Sequence, residues 1–173
     1  MSIKHLLSIL MACVLLSACQ EDLLPSNDPL KNTQDLQQGS MIEDFEFTLS
    51  DGTTRSLSVE LNQYDAVVLY FTMWCPVCDS HMSHIRTDLV SQFSNVKFIF
   101  VDYISASIAY TLDAQQANGY TDFDVISDEN NILENQFNGT MATTIVIDKN
   151  FVVQFKGLYK TTEDLTHILN EAL

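Results

Sequence analysis

Trp74-Cys75-Pro76-Val77-Cys78 is where residue types and spacing point most directly to chemistry. Two thiols three residues apart follow a strand-like apolar run, so they fall where a helix begins. A thiol at a helix N-terminus or in a Cys-x-x-Cys pair has its pKa lowered from about 8.5 into a range of roughly 3.5–7.5, and the thiolate is the nucleophile of disulfide exchange. A bridge between such close cysteines closes almost no loop and adds little stability by the chain-entropy account. The pair therefore serves chemistry or metal binding.

The elements that must hold these thiols can be read from periodicity. Asp44 to Leu49 and Thr54 to Val59 alternate apolar and polar residues on either side of Asp51-Gly52, which predicts an N-terminal β-hairpin. Ala66 to Thr72 and Val96 to Tyr103 are short, β-branched and aromatic, as buried central strands are. Between them Cys78, Met82, Ile85, Leu89 and Phe93 recur at steps of three and four, a helix with its core stripe starting at the cysteine motif. A second helix is predicted within Ser105 to Asn118, a strand near Phe123 to Ile126 and a helix around Asn130 to Phe137. A hairpin of Thr143 to Asp148 with Phe151 to Lys156 follows, then a last helix from about Thr162 carrying Leu165, Ile168, Leu169 and Ala172 on one face. Strands alternating with helices and ending in an antiparallel pair predict a three-layer α/β/α sandwich with a mixed central sheet.

The N-terminus bears on where the domain works. Lys4 and His5 precede an apolar run from Leu6 to Leu16 that is too short to span a bilayer, and Leu16-Ser17-Ala18-Cys19 looks like a bacterial lipobox. On that reading residues 1–18 are a lipoprotein signal peptide and Cys19 is lipidated; an ordinary secretory signal is the alternative. Gln20 after the lipid-bearing cysteine resembles lipoproteins sorted to the outer membrane in a Gram-negative host. The expected location is thus the cell envelope, outside the cytoplasm. Residues 19–40 are rich in Asp, Asn, Gln, Ser and Pro and are expected as a disordered tether; residues 41–173 form one domain.

Removal of Cys13 with the signal and acylation of Cys19 leave Cys75 and Cys78 as the only thiols, which excludes a structural disulfide framework. The formal charge of −15 becomes −16 without Lys4, which argues against nucleic-acid binding and leaves the lipid as the membrane contact. A monomer without cofactor is expected.

The chain resembles the thioredoxin-like superfamily, and within it the membrane-tethered thiol-disulfide oxidoreductases of the TlpA and ResA type. The matching pieces, in family order, are Phe45-Glu46-Phe47-Thr48-Leu49 with Asp51-Gly52, then Leu69 to Cys78, Ile126-Ser127-Asp128, Gly139-Thr140 and Thr143 to Asp148. The resemblance implies exchange with protein thiols and disulfides, with Cys75 as exposed nucleophile and Cys78 as buried resolving thiol. The helix stripe supports this division, since Cys78 continues the core face and Cys75 sits at the start with unpaired N–H groups near it. Pro76 suits the first helical turn, where no backbone donor is missed. Trp74 is expected either to shape the contact surface beside the thiols or to pack in the core.

Two positions depart from the family. A cis-proline normally precedes the Thr-Thr strand and faces the cysteines, helping to position substrate and discouraging metal binding; here the position is Ala142, after Met141. A cis bond before alanine costs about 3 kcal/mol, so the Met141–Ala142 bond is expected to be trans. Where relatives often have Glu-Met-Pro, this chain has His81-Met82-Ser83, followed by His84. Cys75 and His84 lie about 13.5 Å apart along a helix rising 1.5 Å per residue, too far for one ion. Cys75, Cys78 and His81 are the most that could ligate zinc or copper, with tuning of the thiols or a structural role as the other readings of His81. His84 falls on the solvent side. Thr72-Met73-Trp74-Cys75 fits the Thr-x-x-Cys pattern of peroxiredoxins, but a peroxidatic site also wants a nearby arginine. The chain has only Arg55 and Arg86. A metal carrier and a thioredoxin-like interaction module with inactive thiols are the alternatives to an oxidoreductase.

Overall fold

The computed structural model describes residues 36–173. The signal, the lipobox with Cys19 and the tether up to residue 35 lie outside the described residues. The tether's expected last stretch, residues 36–40, is instead tied to the domain. The Gly39 amide donates to the Val153 carbonyl at 2.7 Å, and the Val153 amide donates to that of Ser40 at 2.8 Å. Leu36 packs on the apolar layer beneath, an anchor concealed by the polar residues around it.

The N-terminal hairpin pairs β1 (Glu46–Thr48) with β2 (Thr54–Ser56). Gly52 takes the left-handed φ of +83° that the turn requires, and the Asp51 carboxylate accepts the Thr53 amide at 2.9 Å. The second strand stops at Ser56 rather than Val59, and Leu57–Leu61 forms α1. Leu57 and Leu61, four residues apart, are both buried, so the helical spacing prevails over the alternation. The Ser58 amide is held by the Asp44 carboxylate at 2.8 Å.

The central sheet runs β5-β4-β3-β6-β7. β3 (Ala66–Thr72), β4 (Val96–Asp102) and β5 (Asp124–Ser127) are parallel, whereas β6 (Thr143–Asp148) and β7 (Val153–Leu158) return antiparallel. Alternation along β3 divides the core. Ala66, Val68 and Tyr70 face α2 (Pro76–His84) and α5 (Thr162–Ala172) together with Cys78, Met82, Leu165 and Leu169. Val67, Leu69 and Phe71 face the hairpin, α1 and α4 (Ile132–Phe137). α3 (Ile108–Ala117) is tied to β5 by a Thr111 to Ser127 hydroxyl bond of 3.0 Å. This is the predicted three-layer sandwich with a mixed sheet and a hairpin extension.

All five stripe residues from Cys78 to Phe93 are buried. Past His84 the helix widens into one π turn, Ile85–Leu89, with the Val90 amide reaching the Ile85 carbonyl at 3.1 Å. Asp128 and Asp148 both act as turn residues. Asp128 accepts the Leu133 and Glu134 amides that open α4. Asp148 accepts the amides of Asn150 and Val152 and the Gln154 side chain. That turn takes in Phe151 at φ +62°, so β7 begins at Val153 and not at Phe151.

Candidate functional site

β3 delivers the chain to the site, and β4 holds the delivery in place. After Thr72, Trp74 adopts a φ of +57°, a conformation a bulky residue takes only when its surroundings enforce it. Here the Trp74 amide donates to the Thr72 hydroxyl at 3.1 Å, and the indole N–H donates to the Asp102 carboxylate at 2.8 Å. Asp102 ends the neighbouring strand directly opposite Thr72, and its second oxygen accepts the Ile104 and Ser105 amides. Trp74 is half-buried against the core, so it both packs and borders the thiols.

Cys75 is the N-cap of α2, with extended backbone and Pro76 in the first turn. Its Sγ accepts the Cys78 amide at 3.2 Å and lies 2.7 Å from the Cys78 Sγ, both thiols being free. Cys75 is half-buried; Cys78 is 0% exposed. Desolvation favours the neutral Cys75 thiol, but the hydrogen bond from Cys78 and the backbone amides at the helix start outweigh it, holding the pKa below its ordinary value.

Across from the pair, the Met141 Sδ sits 3.5 Å from the Cys75 Sγ and is 39% exposed. The Met141–Ala142 bond is trans, as expected. Ala142 is buried at φ +67°; its amide donates to the Phe71 carbonyl at 3.0 Å, and its carbonyl accepts the Tyr159 amide at 2.8 Å. A proline here could neither adopt that φ nor donate that bond. The alanine is thus integral to a differently shaped loop.

His81 is half-buried, and its Nδ1 lies 2.9 Å from the Tyr70 hydroxyl while its ring packs 4.6 Å from that of Tyr159. Burial and the charge of His84 keep its pKa below the usual histidine value. His84 itself is exposed. Among the described residues no group of three or more His, Cys, Asp or Glu side chains is placed to hold a metal ion. Arg86 lies over the Tyr120 ring and pairs with Asp122 at 2.6 Å, and Arg55 pairs with Glu60 and Asp124.

Sequence reasoning missed Tyr70 and Asp102. Tyr70 is 1% exposed and lies in the same buried cluster as Cys78, with burial as the main cause, and the two cysteines as further ones, of a hydroxyl pKa far above the ordinary range. Its signal was available: a phenol in the aliphatic run Ala66 to Phe71 needs a polar partner once buried.

A helix led by a Cys-x-x-Cys, springing from the central strand of a β5-β4-β3-β6-β7 sheet and faced by the loop before β6, defines a thioredoxin-like dithiol protein. The AhpC/TSA family model matches residues 38–156, and the chain belongs to that family. It is a thiol oxidoreductase, and the TlpA and ResA type named from the sequence fits this membership. The peroxidoxin BcpB from Mycobacterium tuberculosis is similar at 24% identity and a TM-score of 0.63, over 79% of this chain and 94% of that one. A thioredoxin-like protein from Aeropyrum pernix matches at 19% and 0.60, over 74% and 89%. A secreted Mycobacterium tuberculosis disulfide oxidoreductase homologous to E. coli DsbE matches at 14% and 0.59, over 73% and 95%. At these identities the likeness speaks to fold. No curated protein matches the chain.

Proposed function

We propose that this protein is an exported, lipid-anchored thiol-disulfide oxidoreductase that exchanges disulfides with protein cysteines through Cys75 and Cys78. The observation that carries the reading is the N-cap geometry of the pair: the Cys75 Sγ accepts the Cys78 amide with the Cys78 Sγ 2.7 Å away. The Cys75 thiolate attacks a client disulfide, forming a mixed disulfide and releasing one client thiolate. The Cys78 sulfur then attacks the Cys75 sulfur, closing the internal disulfide and releasing the second client thiolate; the client is reduced and the pair oxidised, and the reverse sequence oxidises a client dithiol. The secreted disulfide oxidoreductase among the similar structures is in keeping with disulfide exchange outside the cytoplasm. Both arginines are engaged in ion pairs with carboxylates, Arg55 with Glu60 and Asp124 and Arg86 with Asp122, which favours disulfides over peroxide as the substrate. Lipid attachment at Cys19 rests on the Leu16 to Cys19 lipobox.

Glutathione titration with thiol trapping, on the chain carrying C13S and C19S, tests the reading. The pair should equilibrate as a two-electron couple; C78S should accumulate a mixed disulfide at Cys75, and C75S should lose exchange. Exchange no faster than that of a free cysteine would refute it.

A further inference from the structure

Cys78 has no contact with solvent, yet the resolving step requires it to lose a proton as its sulfur becomes a nucleophile. The proton must leave through protein groups. Tyr70 and His81 line a way out: Tyr70 packs in the same buried cluster as Cys78, and its hydroxyl lies 2.9 Å from the His81 Nδ1. Tyr70 is buried, whereas His81 reaches the surface in part, so the path runs from the enclosed thiol to the edge of α2. Tyr159 supports it from the far side, its ring set edge-on to Tyr70 at 6.1 Å and against His81 at 4.6 Å.

We propose that Tyr70 and His81 are a proton relay for Cys78, carrying its proton outward when the mixed disulfide is resolved and inward when the pair is reduced. The inference rests on the disulfide-exchange reading above. In the resolving step the Cys78 S–H proton passes to the Tyr70 oxygen while the Tyr70 O–H proton passes to the His81 Nδ1. The freed electron pair on the Cys78 Sγ forms the bond to the Cys75 Sγ, and the bond from Cys75 to the client sulfur breaks. The client sulfur leaves as a thiolate, and the imidazolium returns its proton to that thiolate or to water. His81 acts in its neutral Nε2–H tautomer, with Nδ1 as acceptor. Burial and His84 keep its pKa below the ordinary value, so the acceptor form predominates at neutral pH. The groups facing the relay are Cys75 and Cys78 on one side, Tyr159 on the other and His84 on its own helix, with Asp88 and Glu163 acting on Tyr159 from beyond.

Ellman's reagent separates the two steps on the full chain carrying C13S and C19S. The first thionitrobenzoate is released by Cys75 at a rate proportional to reagent; the second is released by Cys78 at a rate independent of it. In Y70F and H81N the first phase should keep the parent rate while the second slows by about 10²-fold, the scale on which a positioned proton acceptor contributes. The parent's second phase should fall as pH drops through the His81 pKa, and H81N should lack that inflection. H81N keeps a side-chain acceptor without a titrating ring and alters a half-buried position rather than a fully buried one, so it decides the matter if Y70F fails to fold. Unchanged second phases in H81N overturn the relay and leave disulfide exchange standing. A parent that never releases the second thionitrobenzoate overturns both.

Discussion

Cys75 combines partial exposure with a hydrogen-bonding environment that favours its thiolate, and its proposed role as the attacking sulfur rests on the two together. Desolvation alone would raise its pKa; the Cys78 partner and the amides at the start of α2 reverse the sign. A pKa below the ordinary value means that reactivity persists as pH falls until the folded-state pKa is crossed. The rate of iodoacetamide alkylation at Cys75, followed by mass spectrometry, should therefore inflect below the roughly 8.5 of a free cysteine. An inflection at or above that value would remove the basis for nucleophilic assignment. Met141, 3.5 Å from the same sulfur, adds an exposed apolar thioether beside the attack path.

The loop between α4 and β6 decides what faces the thiols, and its shape follows from two small residues. Gly139 admits the Phe71 ring: a Cβ there would lie 2.3 Å from a ring atom of a fully buried side chain. G139A should cost about 1 to 3 kcal/mol in denaturant unfolding, the usual range for overpacking a filled site. Ala142 holds the left-handed turn that ties the loop to β3 through Phe71 and to the residue after β7 through Tyr159. A142P would give a helix-compatible φ to a position at +67° and leave the Phe71 carbonyl short of a donor, so it should destabilise by about 1 to 3 kcal/mol or more. A variant as stable as the parent would show that the loop can be rebuilt around proline.

At the scale of the whole molecule, a strongly acidic chain carries its cysteine pair at one end of the sheet, and the proposed lipid attachment falls at Cys19 in the N-terminal segment. No helix among the described residues is long and apolar enough to cross a membrane. C19S should accordingly move the protein from the membrane pellet to the soluble fraction on cell fractionation, without changing exchange at Cys75 and Cys78. Retention of C19S in the pellet would assign the attachment to something other than the lipid. What the chain's linear order determined was everything built from neighbours in sequence. The N-cap position of Cys75, the stripe from Cys78 to Phe93, the strands on either side and the turn roles of Asp128 and Asp148 all depend on contacts within a few residues, where periodicity and capping preferences act. Where two such signals competed, as at Leu57 to Val59, the helical burial of Leu57 and Leu61 prevailed over alternation. Only the tertiary structure decided which distant groups surround the thiols. Tyr70 and His81 are 11 residues apart, Trp74 and Asp102 are 28 apart, and Cys75 and Met141 are 66 apart. Those meetings are set by strand order and by which face of β3 a side chain occupies, and no local pattern encodes the identity of a partner across the sheet.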